Sequence, residues 1–388
     1  MTDKLVRAFL WFLVASLMLA PSAARAADIG PIGDTSVAVH GFVSPGFIAS
    51  TGNNYLANTK GGTFEFTEVG INFTVPLTEK LRTGMQLFSR SLGRFGNYTP
   101  KVDWFYLDYR YEDWLGLRAG RVKIPFGLYN DTSDIDAARV PILLPQSLYS
   151  LQSRDFLLAQ TGVEIYGRIN LRSAGALEYR HYGGTIFLDG TAQTSLATPV
   201  QEINVPFVVG ERLMWETPVE GLRLGGSVQA LRLNATFLVK DRLVGIQVPA
   251  VLAVASVEYA AHDLLLAAEY SKWRVGVEST DPTILRPGRV VSERGYVMSS
   301  LRLNRWLTPG LYYSLFFPDV DHRSGRAAMQ HDVAATLRFD INAHWLFKVE
   351  GHYMNGTADA SPDFNDGKSR DVLDRSWAVF LAKTTAYF

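Results

Sequence analysis

The chain of 388 residues contains no cysteine, so its fold cannot depend on disulfide bonds or thiolate metal sites. It also has no excess of either charge, with 38 basic and 38 acidic residues. Nucleic-acid binding requires concentrated positive charge, so nucleic acid is not an expected partner. Beyond residue 26 there is no run of about 18 apolar residues, which excludes transmembrane helices from the rest of the chain.

The first residues have the three parts of a secretory signal peptide. Lys4 and Arg7 precede an apolar run at residues 8–20, and Ala24-Arg25-Ala26 offers small residues for cleavage. The apolar run is shorter than the roughly 20 residues that span a bilayer, which disfavours the alternative of a retained anchor. We therefore predict a signal peptide at residues 1–26 and an exported mature protein at residues 27–388.

The mature sequence is rich in segments where apolar and polar residues alternate, which is the pattern of β-strands with two different faces. Sixteen such segments are predicted, at residues 37–50, 64–75, 81–91, 101–111, 115–124, 161–170, 175–186, 207–216, 222–234, 250–259, 264–275, 290–304, 311–317, 328–340, 345–354 and 375–388. Their connectors alternate between short and long. This pattern predicts an all-β fold, a sixteen-stranded antiparallel transmembrane β-barrel with short periplasmic turns and long extracellular loops. A soluble β-sandwich is the alternative.

One face of these strands is apolar and the other carries charge. In the segment 101–111, for example, Phe105, Leu107 and Tyr109 alternate with Asp108 and Arg110. The apolar face suits lipid, and the charged face suits a water-filled lumen. The candidates for the lumen wall are Arg82, Asp108, Arg110, Arg118, Glu164, Arg168, Arg223, Arg302, Arg338, Lys348 and Glu350. A simpler role for any pair of them is a structural salt bridge between strands.

The connector at residues 125–160 is too long for an ordinary loop. It holds apolar residues at 142–144 that could pack on an inner wall, and it is rich in charge. We expect it to fold into the lumen and narrow it, the alternative being an extracellular flap. The candidates for the constriction are Lys123, Asp131, Asp134, Asp136, Arg139, Arg154 and Asp155.

Catalysis is not expected. The 7 histidines are dispersed, no Gly-x-Ser-x-Gly elbow is present, and no metal-ligand spacing is visible, so we predict no enzyme activity, no cofactor and no metal. An outer-membrane hydrolase is a minor alternative. A structural or adhesive barrel without an open pore stays open as a further one.

One segment resembles a known family. Residues 118–130, Arg-Ala-Gly-Arg-Val-Lys-Ile-Pro-Phe-Gly-Leu-Tyr-Asn, are similar to the Gly-Arg-x-Lys-x-Pro-Phe-Gly segment of the phosphate-selective porin O and P superfamily. Shorter similar stretches include His40-Gly41-Phe42 and residues 347–357. The resemblance implies a trimeric outer-membrane porin that passes small hydrophilic solutes or ions, with a general or anion-preferring channel. The chain has few lysines, so phosphate specificity is not implied.

Two further partners are expected of such a protein. The apolar face would contact outer-membrane lipid. The aromatic last strand, which ends at Phe388, would be recognised by the barrel-assembly machinery.

Overall fold

The computed structural model describes residues 28–32, 35–93, 96–188, 200–239 and 242–388. The predicted signal peptide lies outside the described residues. A short strand β1 (Asp28–Ile32) precedes sixteen others. These are β2 (Thr35–Ser50), β3 (Phe66–Pro76), β4 (Leu81–Leu92), β5 (Lys101–Glu112), β6 (Leu115–Lys123), β7 (Ala159–Asn170), β8 (Ala176–Ile186), β9 (Val200–Glu216), β10 (Leu222–Val239), β11 (Arg242–Ala261), β12 (Leu264–Ser279), β13 (Gly288–Leu301), β14 (Leu307–Phe317), β15 (Gln330–Asn342), β16 (Trp345–Gly356) and β17 (Ser376–Tyr387).

The strands β2 to β17 close into a barrel. Each pairs antiparallel with the next along the chain, and β17 returns to β2, from Val379 opposite Ser50 to Tyr387 opposite Phe42. The strand β1 pairs with the first residues of β2 and was not predicted. Closure leaves no barrel strand with an unpaired edge. The predicted sixteen-stranded antiparallel barrel is confirmed.

The alternation in the sequence separates two surfaces. In β5, Phe105, Leu107 and Tyr109 are 44 to 48% exposed on the outside, whereas Asp108 between them is only 1% exposed because it faces the interior. Aromatic residues collect on the outside near one rim, among them Tyr111, Trp114, Trp215 and Trp306. The outer surface is therefore an apolar belt with an aromatic edge, as in barrels that contact lipid.

The two rims differ in the length of their connections. At one rim, the turn end, the strands are joined by tight turns such as His262-Asp263, which joins β11 to β12 with both residues in the left-handed region. At the other rim, the loop end, lie residues 51–65, 318–329 and 357–375 and the connection that leaves β6. None of the helices in the described part of the chain has the length and apolar character to cross a membrane.

One predicted loop is wrong. Residues 235–249 were expected to form a long connector, but β10 runs to Val239, β11 starts at Arg242, and these two residues are paired. The segment is rich in β-branched and large apolar residues, which favour strands. The strict alternation of short and long connections therefore fails at this hairpin, which extends further than its neighbours.

Candidate functional site: the barrel lumen and its inner loop

The connection between β6 and β7 at residues 124–158, here called the inner loop, contacts the inward side chains of most of the barrel wall. Its apolar residues pack on two sides. Phe126, Leu144 and Leu148 belong to a cluster with inward residues of β8 to β15, and Ile142 and Leu143 to another with inward residues of β2, β3, β4, β16 and β17. The sequence predicts this loop at residues 125–160; in the structure, residues 159 and 160 belong to β7.

The first polar anchor of the inner loop is Asp136, which is 1% exposed. One carboxylate oxygen lies 3.1 Å from the ammonium of Lys348 and 3.8 Å from that of Lys383, and the other accepts a hydrogen bond of 2.7 Å from Thr385. Lys348 and Lys383 are directly opposite each other on β16 and β17 and fully buried. Two buried ammonium groups on directly opposed residues repel each other, so the carboxylate of Asp136 is required to compensate their charge.

The backbone of the inner loop is held at the same wall. Glu350 accepts hydrogen bonds from the amides of Ile142 and Leu143, at 2.7 and 2.9 Å. The guanidinium of Arg338 donates to the carbonyls of Ala137 and Arg139, at 2.7 and 3.1 Å. Hydrogen bonds to charged groups contribute about 1.5 to 3 kcal/mol each, so this anchor fixes the loop strongly.

A second anchor lies on β12, across the lumen. Glu269 is 3% exposed and accepts hydrogen bonds from the amide of Leu128 and from the hydroxyls of Tyr149, Ser256 and Tyr296. Burial raises the pKa of the Tyr149 hydroxyl well above its usual value, and the Glu269 charge adds to the shift, so this phenol stays a donor. The beginning and the end of the inner loop are thus tied to one carboxylate.

Two glycines of the segment that resembles the porin family shape the start of this loop. Gly120 has a φ of +134°, and a Cβ there would lie 2.5 Å from the carbonyl oxygen of Phe105. Gly127 has a φ of +61°, and its amide donates to the hydroxyl of Ser227 on β10. L-residues disfavour such backbone angles, so the motif serves the departure of the loop from β6 into the lumen.

Opposite charges alternate around the wall from β4 to β9. The contacts run Arg82–Asp108 (2.7 Å), Asp108–Arg118 (3.2 Å), Arg118–Glu164 (2.9 Å), Glu164–Arg180 (2.6 Å), Arg180–Asp131 (2.7 Å), Asp131–Arg212 (2.9 Å) and Arg212–Glu178 (2.8 Å). Burial would raise the pKa of Asp131, but Arg180 and Arg212 outweigh it and lower that pKa. Because this charge ladder is balanced, it gives its side of the lumen no strong preference for one sign.

An ion pair between Lys123, the last residue of β6, and Asp134 fixes the inner loop to the end of that strand. Their charged atoms are 2.5 Å apart, and Asp134 also accepts from the amide of Gln86 on β4. Burial would raise the pKa of Asp134, but the nearby Lys123 and Arg154 lower it. Arg154 itself forms an ion pair of 2.6 Å with Asp103. The side chain of Asp155 lies outside the described part of the structure.

The inner loop curves around a small cavity of about 30 Å³. Arg139, Arg154 and Lys383 line it with the single carboxylate of Glu68, which pairs with Lys383. Arg139 differs from the other two cations because it donates to the carbonyls of Ser133 and Ile142, and its closest approach to Asp136 is 4.0 Å. Its Nε has no hydrogen-bond partner among the described residues. Three cations and one carboxylate therefore line this gap.

The remaining wall candidates are divided between two places. Arg223 pairs with Glu258 inside the barrel, next to the hydroxyl of Tyr129 from the inner loop. Arg110, Arg168 and Arg302 instead lie exposed at the turn end, near the carboxylates of Asp113, Glu216 and Asp263 respectively. The structure does not bring these three arginines to the inner loop.

Several residues of the site were not among the sequence candidates: Asp103, Arg180, Arg212 and Lys383. Their strand positions share the inward alternation of Asp108 and Glu164, so a register carried through every strand would have found them. Their partners on the inner loop have no sequence signal, since those contacts form only across a closed barrel.

Two outer loops meet above this site. The hydroxyl of Tyr55 donates to Asp359, at 2.9 Å, and Asn53 and Asn54 bridge residues 51–65 to residues 357–375. Burial raises the pKa of Asp359 to about 6, although the hydrogen bond from Tyr55 lowers it. The carboxyl therefore keeps its proton in the folded loops over a range where an unfolded chain has lost it.

This pKa predicts a pH dependence of the outer loops. The native carboxyl is protonated up to about pH 6 and the unfolded one to about pH 4, so the loops lose stability as pH rises between these values, by roughly 2 to 3 kcal/mol. We expect the protection factors of residues 357–375, which are corrected for the intrinsic pH dependence of amide exchange, to be lower at pH 7 than at pH 4. In Asp359→Asn this difference should shrink; an unchanged pH dependence would assign it to another group.

A buried histidine also lies under these loops. His352 is held between Asp332, at 2.9 Å, and Glu350, at 3.0 Å, so each ring nitrogen faces a carboxylate. A histidine with both nitrogens donating cannot act as a general base. Its geometry fits a structural link between β15, β16 and the inner loop.

The closed barrel and its apolar outer belt define a transmembrane β-barrel of the outer-membrane type. A membrane-spanning sheet must satisfy all its backbone groups, and barrels with short turns at one rim and long loops at the other lie in bacterial outer membranes. The outer-membrane location expected from the sequence follows from this fold.

Solved structures with the same fold are porins and related outer-membrane proteins. Outer-membrane expressed OmpT of Vibrio cholerae aligns with a TM-score of 0.61 and 10% identity, over 93% of this chain and 100% of the other. The outer membrane channel DcaP of Acinetobacter baumannii gives 0.57 and 12%, over 93% and 100%. An anion-selective porin from Comamonas acidovorans gives 0.53 and 10%, over 92% and 100%. No family model and no curated protein matches the chain.

Proposed function

We propose that this protein is an outer-membrane porin whose inner loop forms the constriction, and that it passes small hydrophilic anions in preference to cations. The observation that carries the proposal is Arg139. Its guanidinium lines the gap and is bound by the carbonyl oxygens of Ser133 and Ile142. An anion in the gap would meet a positive charge whose nearest carboxylate, that of Asp136, lies 4.0 Å away.

The size of the gap limits what passes. A cavity of about 30 Å³ holds water molecules but not an organic solute. Passage of an organic solute would therefore require the inner loop to move. The closer relation to the phosphate-selective porin O and P superfamily is part of the proposal and rests on residues 118–130. A trimer is also proposed, as one solved neighbour is described in trimer form.

The test is conductance across a planar bilayer. We expect single channels, and in a salt gradient a reversal potential on the anion-selective side. Channels with cation selectivity would overturn the anion preference but not the pore. Absence of channels would favour the second candidate, a plugged structural barrel, which the wide contact of the inner loop with the wall supports.

We also propose that the protein is not an enzyme. His352 has both nitrogens occupied by carboxylates, which supports this view. Hydrolysis of peptide or ester substrates by the folded protein that is lost in His352→Asn would overturn it.

A further inference from the structure

The outer surface of the barrel carries a group of cations that the lumen does not use. Lys272 and Arg274 on β12 and Arg289 on β13 are exposed. Their neighbours Ser271 and Trp273 face the interior, at 1 and 8% exposure, so alternation points Lys272 and Arg274 outward. Arg289 is outward by the same rule, because Tyr296 and Met298 on β13 are inward. We call these three residues the outer basic patch.

The register places the three charges close together. Lys272 and Arg274 are two residues apart, roughly 7 Å along one strand. Arg274 is opposite Val291 and Arg289 is opposite Gly276, which makes Arg274 and Arg289 diagonal neighbours, about 7 to 8 Å apart. None of the three side chains forms an ion pair or a hydrogen bond with a described residue. Three cations at this spacing, none of them in an ion pair with a described residue, repel each other and favour a bound anion.

Two carboxylates lie near the outer basic patch. Glu293 is opposite Lys272 but accepts the hydroxyl of Tyr270, at 3.0 Å, and pairs with Arg323 from the connection after β14. Glu278 is exposed further along β12, opposite Gln247 on β11. With Arg323 included, the cations outnumber the carboxylates on this face.

The height of the outer basic patch in the barrel indicates its ligand. Tyr270, which is 45% exposed, lies just below Lys272, and the apolar outward residues Leu266 and Val297 lie nearer the turn end. Amphipathic aromatic rings of membrane barrels mark the level where hydrocarbon gives way to headgroups. The patch therefore stands at the headgroup level of the outer leaflet, on the side of the long loops.

We propose that the outer basic patch binds the phosphate groups of a phosphorylated glycolipid in the outer leaflet. Each cation can form charge-assisted hydrogen bonds to phosphate oxygens, and the two arginines can do so with two donors each. The apolar belt below would accept the acyl chains of the same molecule. This proposal depends on the orientation of the barrel in the membrane and not on what passes through the lumen.

The test compares the folded full chain with the triple variant Lys272→Gln/Arg274→Gln/Arg289→Gln in neutral detergent. Diphosphorylated lipid A is the probe, and dephosphorylated lipid A is the matched lipid control; bound lipid is counted by native mass spectrometry. A control variant, Lys80→Gln/Arg172→Gln/Arg305→Gln, loses the same charge from exposed positions at the turn end. Heat-modifiable gel mobility verifies that each variant is folded.

We expect the wild type and the control to bind the diphosphorylated lipid at least tenfold more tightly than the triple variant. We also expect the dephosphorylated lipid to bind all three equally and weakly. Equal binding of the diphosphorylated lipid by wild type and triple variant would overturn the proposal, and so would tight binding of the dephosphorylated lipid to the wild type. The conductance of the triple variant should equal that of the wild type, so a failed channel test leaves this inference standing.

Discussion

Asp136→Ala should release the inner loop from the wall and increase single-channel conductance several-fold. Removing this carboxylate leaves Lys348 buried with only carbonyl partners and Lys383 with only Glu68. Breaking a buried ion pair by deleting one partner costs about 3 to 5 kcal/mol, because the remaining charge is uncompensated. The structure can avoid part of that cost by admitting water, which requires the loop to leave this wall.

Two measurements follow the release. Conductance reports the wider lumen, and limited digestion with trypsin reports access to Arg139, which is closely packed in the native loop. The control Asp366→Ala removes a carboxylate that is exposed on the outer loop and should change neither. The double variant Asp136→Ala/Lys348→Met should return conductance and trypsin resistance toward the wild-type values, because the uncompensated ammonium of Lys348 is removed. If Asp136→Ala keeps the wild-type conductance and resists trypsin, Asp136 does not hold the loop.

The sixteen strands could be predicted because each has one wet and one lipid-facing side. That asymmetry imposes a period of two on segments such as β5 and β15, and it needs no knowledge of neighbouring strands. The same dependence on alternation explains why the sequence predicts too short a hairpin for β10 and β11. Its outer part, residues 235–249, extends above the level where alternation is imposed, so its strands have no such pattern to show.

The inner loop could be predicted as unusual but its attachments could not. Its length and its mixture of charge with apolar residues are visible in the sequence. The pairing of Asp136 with Lys348 and Lys383 is not, because it joins residues more than 200 positions apart that meet only after β17 closes on β2. The pairing of the wall charges into a balanced ladder also depends on this closure. The sequence of each strand shows that both signs of charge are present, but not which residues pair.

Because the charge ladder is balanced, the anion preference that we propose depends on the gap, and Arg139→Gln/Arg154→Gln should reduce or abolish it. Two unit charges at about 4 Å interact by about 1 kcal/mol in water, so each lost cation lowers the local concentration of anions roughly fivefold. We expect the reversal potential in a salt gradient to move toward zero or change sign. Arg139→Lys keeps the charge and should keep most of the preference.

The control for this experiment is Arg82→Gln/Arg223→Gln, which removes the same charge from the wall away from the gap. These two side chains are 49 and 41% exposed, so water screens them and the reversal potential should change little. Conductance within a factor of about two of the wild type distinguishes a lost charge from a displaced loop. An equal shift in both double variants would mean that the whole lumen sets the selectivity, and the assignment of Arg139 to the constriction would be wrong.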